Sequence, residues 1–166
     1  ILKELYIVRT AWLYGYNGNN FVYTMLKLMN NKSELSVVND QIGSPTFASD
    51  LAYTIIMIML SRGLTEKSLP TAIDYGIYHC TDIAEISWYD FAKAIYKIGK
   101  EKGKINSDCI IKSCTTEEYP TKTKRPSYSV LSKEKIQKAL NFQLPDWYDS
   151  LKAFIASPLL KTEKIK

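Results

Sequence analysis

One histidine, His79, and three cysteines, Cys80, Cys109 and Cys114, leave this 166-residue chain few ways to build a metal centre or a nucleophilic triad. A structural zinc site takes four ligands, and a disulfide framework needs an even, denser cysteine set. A Ser/His/Asp or Cys/His constellation has a single histidine to draw on. No metal site is expected, and reduced thiols point to a cytoplasmic protein. Glycine is scarce too. The seven glycines nowhere fall three together at the spacing of a strand-to-helix turn that lets backbone approach a dinucleotide pyrophosphate. Arginine occurs only at 9, 62 and 125. The lysine-rich stretches Lys93–Lys104 and Lys122–Lys138 do not interleave aromatics with arginine, so the net charge of +5 reads as solvated lysine faces rather than a nucleic-acid groove. The longest apolar run, Ala52–Leu60, is interrupted by Tyr53 and Thr54 and is too short to cross a bilayer. No signal peptide is read at the start. Neither nucleic acid nor membrane is an expected partner.

What the chain does have is an ordinary globular composition, 46% hydrophobic and 23% charged. Its length suits one domain, and such a domain buries roughly 70% of its unfolded surface. The stretch around which the rest is organised is VVNDQIGSPT, Val37–Thr46. A β-branched strand, Leu35–Val38, ends in polar residues, and Gly43 and Pro45 punctuate a tight loop. The hydroxyl of Thr46 is placed to cap the helix that follows. Asp40, Gln41, Ser44 and Thr46 set hydrogen-bonding groups at the carboxyl end of a strand, where open α/β sheets bind ligands. Gly43 and Pro45 are equally compatible with a simple turn.

Leu5–Val8 reads as a strand buried on both faces, which predicts that earlier parts of the fold lie upstream of it. Asn19 or Asn20 caps a helix through Met29 whose stripe is Phe21, Met25, Leu28 and Met29. Ala48–Ser61 is a helix apolar on most of its circumference and is expected to be well buried. Gly63–Tyr75, with Pro70, is a surface connection. Gly76–Cys80 is a strand. Ser87 with Asp90 makes a capping box for the helix Trp88–Lys102. Cys109–Cys114 is a strand, and Pro120 and Pro126 make Thr115–Ser127 a loop. Ser132–Leu140 and Pro145–Ala156 close the unit as helices, the second with proline in its first turn. Residues 1–156 thus form one α/β unit and 157–166 a loose tail.

Reductases of the short-chain type need Tyr and Lys at Y-x-x-x-K, where the ammonium lowers the phenol's pKa. The spacing occurs at Tyr23/Lys27, Tyr89/Lys93, Tyr96/Lys100 and Tyr148/Lys152. With 12 tyrosines among many lysines, such pairs arise on amphipathic helices by chance, and none follows a dinucleotide-binding unit. No catalytic residue is assigned.

The blocks RTAWLYG (Arg9–Gly15), NNFVYTML (Asn19–Leu26), VVNDQIGSPT with Asp50–Ala52, YGIYHCT (Tyr75–Thr81), SWYDFAKAI (Ser87–Ile95) and RPSYSVL (Arg125–Leu131) follow one another in order. Together they resemble the carboxyl-terminal half of the dTDP-4-dehydrorhamnose reductase family, extended short-chain dehydrogenases/reductases. The resemblance covers roughly residues 5–155. It implies an α/β fold made of the last strands of a Rossmann sheet plus a small substrate-binding domain. It also implies NADPH- or NADH-dependent reduction of dTDP-6-deoxy-L-lyxo-4-hexulose to dTDP-L-rhamnose for polysaccharide. The cofactor loop and the catalytic Tyr and Lys of that family lie upstream of the Arg-Thr-x-Trp block. This chain is therefore expected to be inactive alone, to bind no cofactor alone, and to partner an amino-terminal cofactor-binding half and a dTDP-sugar.

Residue by residue, Thr10, Ala11 and Trp12 match the strand end beside the nicotinamide, and Trp12 also matches the tryptophan beside the sugar. Asn20 and Phe21 match the turn entering the nucleotide pocket. Gln41, Pro45 and Thr46 match the loop around the nucleotide, and Arg125 suits a bidentate phosphate contact. On the residues alone, Trp12 is equally a core aromatic and Arg125 equally a surface arginine. Lys124 and Ser127-Tyr128 depart from the small residue and Asn that flank Arg-Pro in most relatives. The regulatory β subunit of methionine adenosyltransferase, which keeps this fold without the reductase role, and a stand-alone interaction module are the alternatives. An exposed Leu5–Val8 strand would also favour self-association.

Overall fold

The computed structural model describes residues 4–63, 72–121, 123 and 125–165. The elements run β1 (Tyr6–Arg9), β2 (Leu13–Tyr14), α1 (Phe21–Asn31), β3 (Glu34–Val38), β4 (Ile42–Gly43), β5 (Thr46–Phe47), α2 (Ala48–Ser61), β6 (Gly76–His79), β7 (Ile86–Ser87), α3 (Trp88–Glu101), β8 (Ile110–Cys114), α4 (Glu134–Leu140) and α5 (Trp147–Ala156), with a 3-10 turn at Thr162–Lys164. Strands pair two by two among the described residues. β1 runs parallel to β6, β2 to β5 and β3 to β8, while β4 is antiparallel to β7.

Local chemistry accounts for the longer elements. The side chain of Asn20 accepts from the Tyr23 amide and caps α1, which buries Val22, Met25, Leu26 and Met29 at helical spacing. Ser87 and Asp90 form the reciprocal capping box of α3, and Phe91, Ala92, Ile95 and Ile98 make its buried stripe. Leu35 and Val37 of β3 point inward while Glu34 and Ser36 point out, the alternation of a half-buried strand. These elements, with α5, enclose one apolar core. A second, smaller core lies where α2 and α4 cover one side of the β1/β6 pair, around Ile58, Tyr78, Ile136 and Leu140.

Several expectations require correction. β1 is not buried on both faces: Leu5 and Ile7 are each 42% exposed, because the helices cover only the Tyr6/Val8 side of the pair. α2 has the expected bounds but is not well buried. Its inner side packs through Thr54, Ile58 and Ser61, while Tyr53, Ile55, Ile56 and Met59 face solvent. Thr46 does not cap α2. Its hydroxyl donates to the Ala11 carbonyl at 2.7 Å, and the cap position falls to Phe47, which lacks a capping side chain. Pro145 precedes the α5 cap, Asp146, rather than sitting in the first turn. The segment after α5 is not loose. Leu160 and Ile165 enter the larger core, and the Lys161 amide donates to Tyr23 Oη at 3.0 Å. Pro70 and Lys124 lie outside the described residues.

Asp82 replaces the missing cap. The Phe47 amide donates to its Oδ2 at 3.0 Å, and its own amide donates to the Pro45 carbonyl at 3.1 Å. Asp82 is 1% exposed, and burial pushes its carboxyl up to about 8; the Phe47 N–H opposes this shift, and nearby Asp50 adds to it. The folded chain therefore holds this proton more tightly than the unfolded chain, whose aspartate titrates near 3.8. The corresponding stability is complete below about pH 4 and is lost as pH rises through about 8, by up to ~1.4 kcal/mol per pH unit. Asp82→Asn keeps an acceptor for Phe47 and removes the titration. Urea midpoints should fall between about pH 5 and about pH 8 in the parent chain and stay nearly level in the variant. Parallel curves would show that Asp82 is ionised at neutral pH.

Candidate functional site

The site is built outward from Ile42. On one side β4 pairs with β7, setting Ile42 opposite Ser87 and so placing Trp88, the next residue, at the start of α3. On its other side the Ile42 amide donates to the Ser127 carbonyl at 2.8 Å, and the Ser129 amide donates back to the Ile42 carbonyl at 2.9 Å. Two residues of backbone thus anchor both the segment that follows Arg125 and the segment that carries Trp88. Gln41 stands between them.

Gln41 is buried, and its Nε2 donates to Thr116 Oγ1 at 3.0 Å. Thr116 is also held by Asp40, whose carboxylate accepts from both its amide and its hydroxyl. Those donors draw the Asp40 carboxyl below its ordinary value. The polar residues after β3 therefore pin the loop that reaches Tyr119 and Thr121.

Two cavities meet here. A larger one of about 340 Å³ is bounded by Phe21, Met25, Val37, Val38, Tyr119 and Thr121; a smaller one of about 170 Å³ is bounded by Ala11, Trp12, Pro126 and Ser129. Gln41, Trp88 and Arg125 border both. The walls are mainly apolar and aromatic, with a few convergent polar groups, as small-molecule sites usually are. Arg125 is exposed at the shared rim and forms no ion pair among the described residues.

Of the residues singled out from sequence, Ala11, Trp12, Phe21, Gln41 and Arg125 converge on these cavities. Thr10, Asn20, Pro45 and Thr46 do not border them. Both ends of the Asn20 amide are engaged: Oδ1 accepts from Tyr23, and Nδ2 donates to the Gly15 carbonyl at 2.8 Å. Thr46 is wholly buried, with its hydroxyl between Ala11 and Thr10. Pro45 is buried and presents its carbonyl to Asp82. These residues hold the frame on which the cavity is built. Met25, read from sequence only as part of a helix stripe, and Trp88, Tyr119 and Thr121 are the lining residues that sequence reasoning misses. Trp88 carried one usable signal, an aromatic at the first position after a capping box. None of the four Y-x-x-x-K tyrosines borders either cavity.

Gly43 has a specific role. A Cβ there would lie 2.5 Å from Trp12 Cε2 and 2.6 Å from Cζ2, so the indole lies flat on the glycine backbone. Trp12 itself adopts a left-handed backbone at φ 47, and its ring stacks on Trp88 with centroids 3.5 Å apart and planes 12° apart. Phe21 leans on Trp88 at 4.6 Å.

A family model described as the RmlD substrate binding domain matches residues 1–159. The dTDP-4-dehydrorhamnose reductase of Aggregatibacter actinomycetemcomitans is 43% identical over 147 residues, covering 88% of this chain and 48% of that protein. The spore coat polysaccharide biosynthesis protein SpsK of Bacillus subtilis is 44% identical over 153 residues, covering 92% and 47%. A solved structure of dTDP-4-dehydrorhamnose reductase from Bacillus anthracis in complex with NADP is 35% identical with a TM-score of 0.75, covering 90% of this chain and 47% of that one. The chain spans about half the length of these relatives and corresponds to their carboxyl-terminal half. It belongs to the RmlD substrate-binding-domain family of dTDP-4-dehydrorhamnose reductases.

Proposed function

We propose that this chain is the nucleotide-sugar-binding half of an NAD(P)H-dependent reductase that converts dTDP-6-deoxy-L-lyxo-4-hexulose to dTDP-L-rhamnose. The observation that carries the reading is the pair of adjoining cavities with Arg125 and Gln41 at their common border. One compartment has the size and apolar lining for a nucleoside, the other is smaller, and a cation stands where a diphosphate joins the two. Arg125 neutralises the phosphates, Gln41 fixes the depth of the ligand, and the aromatic walls exclude water from the sugar.

The cofactor fits this chain only along one edge. Ala11 and Trp12 border the smaller cavity, but the Thr10 hydroxyl is committed to Thr46 and no glycine-rich turn is available to approach a pyrophosphate. The reading therefore assigns cofactor binding and proton donation to an amino-terminal half, and no step of hydride transfer is derived for the residues here. Leu5 just before β1, Ile7 of β1 and Ile77 of β6 form an uncovered apolar row. Parallel sheets are normally covered on both faces, so this row is the natural seat of that half.

Three outcomes test the reading. Titrated into the purified chain, dTDP should bind, and Arg125→Ala should weaken it by about tenfold or more, since a charge-assisted contact contributes roughly 1.5–3 kcal/mol. An unchanged dissociation constant would remove Arg125 from the site. NADPH should give neither heat nor fluorescence quenching with the chain alone; micromolar binding would contradict the division of labour. Light scattering should reveal self-association through the uncovered first strand and its apolar row, because an apolar patch of several hundred Å² seldom stays bare. A monomer of 19.0 kDa at high concentration would show that the edge is protected another way.

A further inference from the structure

Both faces of the Trp12 indole are occupied. Trp88 is stacked on one. The atoms that a Cβ at Gly43 would meet first all belong to Trp12 and none to Trp88, so Gly43 and Trp88 must take opposite faces. The Trp12 backbone is fixed as well, its carbonyl accepting from the Thr46 amide at 3.2 Å. A flat ligand can meet only the edge of this ring. Trp88 is placed differently. Trp12 supports it from one side, and it borders both cavities. Phe21 meets it at an interplanar angle of 51°, which makes an angled wall rather than a closed stack.

We infer that Trp88 supplies the aromatic surface against which the nucleobase lies, and that Trp12, clamped between Gly43 and Trp88, is a positioning residue that holds that surface in place. The inference rests on the nucleotide reading of the cavity and assigns a residue within it. Every nucleobase has a π-face, and contact with an aromatic side chain is a general means of holding one. The Met25 and Val37 side of the larger cavity accepts an apolar ring edge, while Arg125 at the rim takes the negative charge. Trp88 is also the first residue of α3, behind the Ser87–Asp90 capping box, so its backbone is held independently of any ligand.

Calorimetric titration of thymidine and dTDP, with circular dichroism on the same samples, tests the assignment. Trp88→Ala should weaken thymidine and dTDP alike by about tenfold or more, and Trp88→Phe should restore most of the affinity. Arg125→Ala should weaken dTDP and leave thymidine unchanged. Trp12→Phe keeps a flat ring in the slot, so it should retain most of the affinity while abolishing the exciton signal of the stacked indoles. Gly43→Ala should disturb that signal and weaken thymidine, although residue 43 has no side chain to offer a ligand. The circular dichroism spectrum reports folding of each variant, and Trp88→Leu carries the test if Trp88→Ala does not fold. Unchanged thymidine affinity on removal of the Trp88 ring, or a Trp12→Phe loss as large as that of Trp88→Ala, overturns the assignment alone. A parent chain that binds neither thymidine nor dTDP overturns the nucleotide reading together with it.

Discussion

No side chain fits at residue 43, and the rest of the site depends on that. The indole of Trp12 occupies the space that a Cβ would take, and Trp88 stacks on the far face of Trp12. The position of Trp88 therefore follows from the backbone of a two-residue strand. That strand is itself over-determined. Ile42 pairs with Ser87 on one side and exchanges hydrogen bonds with Ser127 and Ser129 on the other. A shift in β4 would move both the aromatic wall and the segment adjoining Arg125. Small local geometry can in this way govern groups that are distant in sequence, since residues 12, 42, 88 and 127 come from four separate segments.

The same loop is tied down at its other end. Thr46 spends its hydroxyl on Ala11, and the Phe47 amide is taken up by Asp82. A buried carboxyl that favours its neutral form is a costly anchor near neutral pH, but it satisfies the amide at a helix start that no local side chain caps. Residues 41–47 are thus braced from the segment after the first strand, from the segment after β6 and from the segment after Arg125. Such bracing suits a binding loop, because a ligand that meets a preorganised surface pays less to order it.

Much of this was legible in the sequence, and the limits have physical causes. Long elements announced themselves by caps and by residue type: Asn20 opens α1, Ser87 and Asp90 open α3, and the β-branched run to Val38 marks β3. The two-residue strands β2, β4, β5 and β7 carry no period, so the pairing that builds the site was invisible. Gly43 was legible as a turn residue, whereas its contact with an indole thirty-one positions earlier was not. Thr46 illustrates the opposite error. Its type and position favoured a cap, but α2 begins at Ala48, which gives the cap position to Phe47, while the Thr46 hydroxyl donates to Ala11 and accepts from Thr10. Trp88 had the capping box before it as a signal, whereas Tyr119 and Thr121 became visible only when separate segments were brought together.

The two apolar clusters explain why the site and the uncovered faces can coexist in one chain. The larger core binds α1, α3, α5 and the β3/β8 pair into the body that carries the cavities. The smaller core fastens α2 and α4 to one side of the β1/β6 pair and leaves the other side bare. An apolar residue gains its roughly 25 cal/mol per Å² only when something covers it, so Leu5, Ile7 and Ile77 contribute little to this chain by itself. Their composition is understandable if the stabilisation is realised on association, at a surface distinct from the ligand cavity. Arg9 and Thr10 lead directly from that strand to Ala11 and Trp12 at the cavity. Only Thr10 separates the end of β1 from the residues that border the smaller compartment.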